Sequence, residues 1–337
     1  MTEQAQLSAK QKPTYMRMLP GAAVSIAALA VLLLLVDIEA VKEAIRLADY
    51  RFLPPAIILF LGTLAARSLA WRTILQEQIS FGKAFFTENE GYLLNNVLPF
   101  RLGEIGRAFL LSKTTPLSFW EVLSTIMVER IFDVGIMAGL ILSTVPLVIG
   151  ADWAAQAAVV AGMLVLLGFA VLYIAARNQE GALNLFIRLT APWPRLTEFG
   201  RNKLQSFLTG LAVLQDISRF GRVLFWLLVT WVLNISWYIV LLWGFVPEAK
   251  LLWGFFSVGV VSLGVAAPST PAYIGIYEAA QVGSLSVFGV EESTALAYAV
   301  IAHSLYFIIT VSLGAIGLAR DGLRLGDVYR ELRNKQT

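Results

Sequence analysis

The sequence predicts an all-α, polytopic transmembrane helical bundle with six full spans and two re-entrant or broken helical hairpins. Of its 337 residues, 58% are hydrophobic and only 15% are charged, and the mean hydropathy is +0.71. A soluble domain carries charge at about a quarter of its positions, so lipid must solvate most of this surface. Six stretches approach or exceed the roughly 20 apolar residues that cross a bilayer: Met18–Val36, Leu53–Leu75, Val122–Ile149, Ala154–Ala176, Val223–Val246 and Thr294–Ala319.

Composition also excludes several kinds of site. The chain has no cysteine and one histidine, so disulfides, thiolate chemistry and a histidine-rich zinc site are excluded. It contains no P-loop and no Rossmann glycine pattern, and we therefore expect no cofactor and no metal. The net charge of +3 fits basic cytoplasmic loops, as is usual in membrane proteins, and predicts no nucleic-acid partner.

Two further apolar regions are too interrupted to be ordinary spans. Residues 83–112 contain several charged residues, asparagines and Pro99, and residues 252–290 contain Pro268, Pro271, Gly275 and Glu278. Each half of these regions is about 15 residues, or roughly 22 Å of helix, which favours re-entrant hairpins or short tilted helices buried among others. Eight short spans, or two ordinary helices kinked by proline and glycine, remain as alternatives.

The distribution of lysine and arginine predicts the orientation. Basic residues concentrate in the N-terminal tail (1–17), the loop 177–222 and the C-terminal tail (320–337), so we expect both termini to be cytoplasmic and the protein to lie in the cell membrane. Residues 18–319 then form one transmembrane domain with an uncleaved first span. Within it, 195–222 is amphipathic and is either an interfacial helix or a linker helix packed on the bundle.

This topology places the two broken regions in opposite orientations. Interrupted segments paired in this way are typical of inverted-topology repeats with a binding site between them. Candidate site residues are therefore expected around each break and in the neighbouring spans.

The first break combines a proline, a glycine and charged side chains. A half-helix beginning near Gly103 would point unpaired N–H groups into the protein, and such helix ends bind anions. Arginines beside it suit phosphate, and Glu104 is either an internal partner of those arginines, a protonatable switch or a headgroup contact. The candidates here are Asn95, Asn96, Pro99, Arg101, Gly103, Glu104 and Arg107.

The second break loosens the backbone with two prolines and a glycine and then places a carboxylate on the next half-helix. Its glutamate either caps that helix, pairs with a distant arginine or serves the substrate. The candidates are Pro268, Pro271, Tyr273, Gly275 and Glu278.

Charged residues inside otherwise apolar spans form a third group. Each costs about 2.5–3.5 kcal/mol at a helix centre, so Glu129, Arg130 and Asp133 must face the bundle interior, either holding Arg101 or Arg107 or contacting substrate. Arg67 needs an acidic partner, for which Glu104 and Glu90 are candidates. His303 is either a hydrogen-bonded structural histidine or a proton relay.

The segment from Gly91 to Arg107 resembles the lysylphosphatidylglycerol synthase transmembrane regions, also called flippase-like membrane proteins. The Glu129–Asp133 stretch and the Pro271, Gly275, Glu278 pattern resemble the family's other two signatures, and the resemblance covers roughly residues 20–320. It implies a lipid flippase without enzymatic activity. The aminoacyl-transferase domain of the synthase members follows the membrane region, and only residues 320–337 remain here, so we expect that activity to be absent.

The resulting hypothesis is a translocator that moves a headgroup through a polar groove between the two breaks. Its substrate would be an anionic phospholipid or a lipid-linked sugar, with a lipid-modifying enzyme as a further candidate partner. Three alternatives stay open: an intramembrane enzyme using Glu104 and Glu278 as acid and base, an ion or small-solute transporter, and a non-transporting partner of a synthase. Neither the lipid, the energy source nor the oligomeric state follows from the sequence.

Overall fold

The computed structural model describes residues 37–97, 103–150, 152–193, 215–266 and 271–326, together with isolated residues between 197 and 208 and at 328 and 330. The predicted first span, Met18–Val36, lies outside the described residues, as does most of the amphipathic segment 195–222 before its last few residues. Across the described part the chain is helical, and the bundle predicted from composition is confirmed.

Eleven α-helices are present in the described ranges. In chain order they are α1 (Ile38–Leu47), α2 (Leu53–Ile74), α3 (Phe81–Val97), α4 (Gly103–Thr114), α5 (Phe119–Val148), α6 (Ala154–Arg177), α7 (Gln179–Thr190), α8 (Ile217–Trp243), α9 (Leu251–Ala266), α10 (Ile276–Ser286) and α11 (Glu292–Arg320).

Five of these helices are long and apolar enough to cross a membrane: α2, α5, α6, α8 and α11. They correspond to five of the six predicted spans, with ends shifted by several residues at most. Side-chain caps define where two of these helices begin. The Asp216 side chain accepts the Ser218 N–H at the start of α8, and Ser118 forms a reciprocal capping box with Glu121 at the start of α5. Such caps satisfy N–H groups that the first turn leaves unpaired.

Both interrupted regions are divided where the sequence predicted. The first gives α3 and α4, of 17 and 12 residues, and the second gives α9 and α10, of 16 and 11 residues, with a short 3₁₀ turn at Pro271–Tyr273 before α10. The two halves pack against each other in each region. At about 1.5 Å per residue all four helices are shorter than the roughly 30 Å hydrocarbon core, and their division into hairpins or short spans stays a prediction.

Eight of these helices form two units with the same order of long, short, short and long helices, namely α2–α5 and α8–α11. Their packing is reciprocal: α3 of the first unit packs on the last helix of the second, and α9 of the second packs on the last helix of the first. The leading helices α2 and α8 pack together and run antiparallel. Arg222, early in α8, pairs with Glu77 beyond the end of α2 at 2.9 Å, and the Asp49 N–H donates to the Gly244 carbonyl at the opposite end. This arrangement is the one predicted for inverted repeats.

Glycine allows the closest of these helix contacts. A Cβ placed on Gly314 of α11 would lie 2.5 Å from the Asn89 carbonyl oxygen of α3, and one on Gly317 would lie 2.7 Å from the Glu90 carboxyl group. Small residues bring membrane helices together in this way. The α3–α11 contact therefore joins the first break to the helix that carries His303.

Candidate functional site

Six ionisable side chains from four helices form a buried ion cluster, which we define as Arg67, Glu88, Arg107, Glu129, Arg130 and Asp133. Glu129 lies at its centre and contacts all three arginines: Arg67 at 2.6 Å, Arg107 at 2.8 Å and Arg130 at 2.9 Å. Glu88 lies 3.1 Å from Arg67 and 3.6 Å from Arg107. Asp133 pairs with Arg67 and, at 3.4 Å, with Arg130.

The cluster balances three cations against three carboxylates. Removing one partner of a buried pair leaves an uncompensated charge and typically costs about 3–5 kcal/mol. Glu129, Glu88 and Arg107 are almost fully buried, whereas the Arg130 side chain keeps 36% of its surface exposed. The cluster therefore has a closed side that joins helices and an open side where Arg130 lies.

Polar and aromatic neighbours hold the cluster in place. The guanidinium carbon of Arg107 lies 3.5 Å from the centre of the Trp71 ring, which is a cation–π contact. The Ser68 hydroxyl donates to Glu88 at 2.8 Å, and the Trp231 indole N–H donates to Asp133 at 3.2 Å. Through Trp231 the cluster also contacts the second unit.

The second break carries a smaller polar group built around Glu278. One of its carboxylate oxygens accepts the Gly275 N–H at 2.7 Å and so caps the start of α10, and the other lies 2.6 Å from Nδ1 of His303. The His303 ring stacks on Tyr277 with centroids 4.3 Å apart, and the Tyr277 hydroxyl is 2.9 Å from that of Tyr238. Of the roles considered for Glu278, the structure shows the helix cap, and it adds a histidine as partner.

Backbone geometry at this break is unusual. Ala272 and Tyr273 have φ values of +56° and +59°, and Gly275 has +89°. Left-handed conformations of non-glycine residues are uncommon and are held only where the surroundings over-determine them. The cap from Glu278 is one contact that holds the chain in this shape.

At the first break, too, a side chain caps the start of the half-helix, but the residues are different. The Asn95 side chain accepts the Gly103 N–H at 2.7 Å, so it caps the start of α4, and Asn96 donates to Thr310 of α11 at 3.0 Å. A Cβ on Gly103 would lie 2.2 Å from the Gly91 carbonyl oxygen, so only glycine fits there. The half-helix predicted to begin near Gly103 begins at that residue.

A cavity of about 340 Å³ lies between the two units and receives side chains from all eight of their helices. Arg67, Arg130, Asp133 and Glu104 line one part, and His303, Tyr273 and Tyr277 line another. Its remaining polar lining is Thr63, Tyr92, Asn95, Thr230, Trp231, Asn234, Trp237, Tyr238, Ser262 and Tyr306. Three members of the ion cluster (Arg67, Arg130 and Asp133) and His303 of the His303–Glu278 pair therefore line one cavity between the two units.

The expected partners of Arg67 were wrong, whereas Glu129 does hold Arg107, which is one of the roles considered for it. Arg67 does not rely on Glu104 or Glu90: its partners are Glu88, Glu129 and Asp133. Those carboxylates lie on α3 and α5, which pack beside α2, and sequence spacing could not show this. Arg107 is 4% exposed, pairs with Glu129 and Glu88, and is not among the residues that line the cavity. Its Nη1 and Nη2 groups are directed at Glu88 and Glu129, and the described cations that line the cavity are Arg67 and Arg130.

Other candidates stand as follows. Pro99, Arg101 and Pro268 lie outside the described residues. Glu104 is half-buried and lines the cavity, and Pro271 begins the 3₁₀ turn that leads to Tyr273. In the described part of the chain, no three histidine, aspartate or glutamate side chains converge as a metal site would require.

Sequence reasoning did not single out Glu88 or the aromatic lining from α8 and α11. A signal for Glu88 was present, because intramembrane arginines require carboxylate partners and Glu88 is one of the carboxylates within residues 83–112, but Glu90 and Glu104 carry the same signal. For Trp231, Trp237, Tyr238 and Tyr306 the sequence offers no such signal, since aromatic residues are common at both faces of a membrane.

Comparison with known proteins adds a family match. Residues 19–314 match the family described as lysylphosphatidylglycerol synthase TM region. No solved structure gives a significant match.

Two curated relatives are similar over most of this chain. A protein of Haloferax volcanii named glycosyltransferase AglD is 26% identical in an alignment of 333 positions that covers 88% of this chain and 53% of that protein. The chain thus spans about half the length of this relative. A protein of Methanothermobacter thermautotrophicus named UPF0104 membrane protein is 23% identical over 93% of this chain and 95% of its own length.

Proposed function

Because this chain belongs to the family of lysylphosphatidylglycerol synthase transmembrane regions, we propose that it moves the polar headgroup of a membrane lipid between leaflets through the cavity between its two units. The single observation that carries the proposal is the cavity itself, which joins two oppositely directed helix breaks inside a multi-pass membrane protein. Polar and ionisable groups in such a position mark substrate pathways.

The size and lining of the cavity suit a headgroup rather than a whole lipid. A volume of about 340 Å³ lies at the lower end of the range of roughly 300–1,000 Å³ found for ligand sites. Acyl chains are already solvated by the bilayer and have no need to enter. The headgroup, which the hydrocarbon core would not solvate, is the part that needs a polar route.

In this proposal Arg130 and Arg67 hold the phosphate. Both line the cavity, and guanidinium groups bind phosphate in a forked geometry. Arg107 keeps Glu129 and Glu88 in place and has a structural role. Asp133 and Glu104, on the same wall, would release the phosphate by competing for the arginines.

The substrate class in the proposal is a phospholipid or a lipid-linked sugar. The family's name points to the first, and the relative named glycosyltransferase is consistent with the second. The proposed location is the cell membrane with both termini cytoplasmic, since the basic loops and tails fall on one predicted side. The chain itself is proposed to be a transporter and not an enzyme.

Reconstituted liposomes test the proposal directly. Headgroup-labelled anionic phospholipids and polyprenyl-phosphate sugars are incorporated in turn, and a membrane-impermeant quencher reports the outer-leaflet fraction over time. We expect one class to exchange faster than in protein-free liposomes, and faster than with a Thr230→Trp variant whose added volume fills the cavity. Exchange at the protein-free rate across the whole panel would refute the proposal.

A second candidate is a membrane partner of a lipid-modifying enzyme. It is favoured by one observation: the relative named glycosyltransferase is about twice as long as the part that this chain matches. The candidate predicts that a mild-detergent pull-down recovers one enzyme consistently. It also predicts that the purified chain alone gives no exchange in the liposome assay, which separates it from the transporter.

A further inference from the structure

We propose that His303 and Glu278 form a proton-binding site that couples headgroup movement to proton movement. This inference rests on the proposed function, and it adds what that function leaves open, namely the energy source. The observation behind it is a buried carboxylate–imidazole pair at one of the two helix breaks, in which His303 lines the cavity.

The geometry of the pair suits reversible protonation. Nδ1 of His303 lies 2.6 Å from one oxygen of Glu278, and His303 borders the cavity. The other ring nitrogen, Nε2, is buried and has no hydrogen-bond partner among the described residues. When Nδ1–H donates to the Glu278 carboxylate, the lone pair of Nε2 is available to accept a proton, and the imidazole becomes an imidazolium while the carboxylate stays charged.

Tyrosine side chains lie around the His303 ring, and charged side chains lie elsewhere in the cavity lining. Tyr277 stacks on His303, Tyr306 lies on the same helix with ring centroids 6.3 Å apart, and Tyr92 of α3 lies 6.4 Å beyond it. Tyr238 of α8 contacts Tyr277, and the remaining ionisable groups on the cavity are Tyr273, Arg67, Arg130, Asp133 and Glu104. Among the described residues of the lining, two arginines are matched by two carboxylates, so one proton on His303 changes the net charge of that lining by a full unit.

A proton at this site also acts on the backbone. The second oxygen of Glu278 caps Gly275 at 2.7 Å, next to the left-handed residues Ala272 and Tyr273. An imidazolium draws the carboxylate toward itself more strongly than a neutral ring does, so protonation changes the competition between His303 and the cap. The proton and the shape of the break are therefore linked through one side chain, as coupling between two states requires.

An imposed pH gradient tests the coupling in proteoliposomes whose membrane potential is held at zero. With one proton moved per headgroup, the wild-type protein accumulates labelled lipid in one leaflet by up to about tenfold per pH unit, since one unit equals a tenfold ratio. We expect His303→Asn and Glu278→Gln to end with equal amounts in both leaflets under the same gradient. Ser284 lies on the same half-helix as Glu278 and does not line the cavity, and Ser284→Ala removes its buried hydrogen bond to Ser257 of α9. This variant should accumulate lipid like the wild type.

The outcomes separate this inference from the proposed function. Wild-type exchange faster than in empty liposomes, but with an equal final distribution under a gradient, overturns the coupling and leaves the translocator standing. Exchange no faster than in empty liposomes overturns the translocator and the coupling with it.

A spectroscopic measurement on the wild-type protein can overturn the inference even if the variants fail to fold. His303 is the single histidine of the chain, so protein carrying ¹⁵N-histidine and purified without a histidine tag gives one set of ring signals. We expect those signals to change with pH and to change differently in Glu278→Gln. Ring signals that stay constant between about pH 5 and 9, where imidazoles exchange protons, would overturn the inference.

Discussion

Nη2 of Arg107 lies 2.8 Å from the Glu129 carboxylate, and neither side chain is more than 4% exposed. Glu129 accepts from Arg67 through its other oxygen at 2.6 Å, so one carboxylate joins the helices α2, α4 and α5. Removing its charge leaves two buried guanidinium groups competing for Glu88 and Asp133. We expect Glu129→Gln to lower the free energy of unfolding by about 3–5 kcal/mol, measured by SDS-induced unfolding in mixed micelles.

Glu43→Gln is the matched control, because it makes the same change at an exposed position whose 3.8 Å pair with Arg46 lies on the surface. Its unfolding curve should overlay the wild type. The double variant Arg107→Gln/Glu129→Gln should lose less stability than the two single variants added together, with a coupling of about 0.5–3 kcal/mol. Additive losses would show that the two residues do not stabilise the fold as a pair.

Arg130 is expected to affect transport more than stability. Its side chain is 36% exposed and lines the cavity, so it can bind a phosphate while still contacting Glu129. A hydrogen bond to a charged group contributes about 1.5–3 kcal/mol, which corresponds to a loss of roughly 10- to 150-fold. Arg130→Gln should slow headgroup exchange by that amount in the liposome assay.

Arg130→Lys separates charge from geometry, because lysine keeps the charge but loses the planar fork, and it should fall between the wild type and Arg130→Gln. Arg222→Gln removes a cation from the surface pair with Glu77 and should exchange lipid at the wild-type rate. Wild-type exchange by Arg130→Gln would place the phosphate site elsewhere.

Gly314 is expected to set the distance between α3 and α11. A methyl group there would lie 2.5 Å from the Asn89 carbonyl oxygen and 2.6 Å from Cβ of Leu93, and neither atom can move without the helix. Gly314→Ala should therefore destabilise the protein by about 1–3 kcal/mol. The measurement is the same unfolding titration in mixed micelles.

Gly221→Ala in α8 is the control for that substitution, since no atom lies within 4 Å of its added methyl group. Alanine is the better helix former by about 0.5–1 kcal/mol, so this variant should be at least as stable as the wild type. Equal stability of the two alanine variants would contradict the close packing at Gly314.

The helices and the breaks were predictable because they depend on local properties. Length and apolarity predicted α2, α5, α6, α8 and α11, and proline and glycine predicted the divisions before Gly103 and around Gly275. The distribution of lysine and arginine placed the two breaks in opposite orientations and so predicted inverted repeats. The helices and their divisions follow from the bilayer's thickness and from backbone geometry.

The partners of the charged residues were not predictable, because they depend on which helices pack together. Arg67 had carboxylate candidates in two segments, and only the contact of α2 with α3 and α5 selects Glu88, Glu129 and Asp133. The pairing of Glu278 with His303, 25 residues away, depends in the same way on the packing of α10 against α11. Sequence showed that partners were needed, and tertiary packing supplied them.

The chain's lack of cysteine makes its orientation directly measurable. Asn184 of α7 and Glu248 between α8 and α9 are exposed and lie in loops that the charge distribution assigns to opposite sides. Replacing them leaves every lysine and arginine in place, so the orientation signal itself is not altered.

In intact spheroplasts, an impermeant maleimide should label Glu248→Cys at once and Asn184→Cys only after the membrane is permeabilised. Leu166→Cys, on the outward face of α6 with 67% of its surface exposed, serves as the control, because a thiol within hydrocarbon has no water to ionise it and should stay unlabelled in both conditions. Labelling of Asn184→Cys before permeabilisation, with Glu248→Cys protected, would reverse the orientation. The cavity, the two breaks and the ion cluster would keep their geometry, but the proposed side of entry for the headgroup and the proton would be reversed.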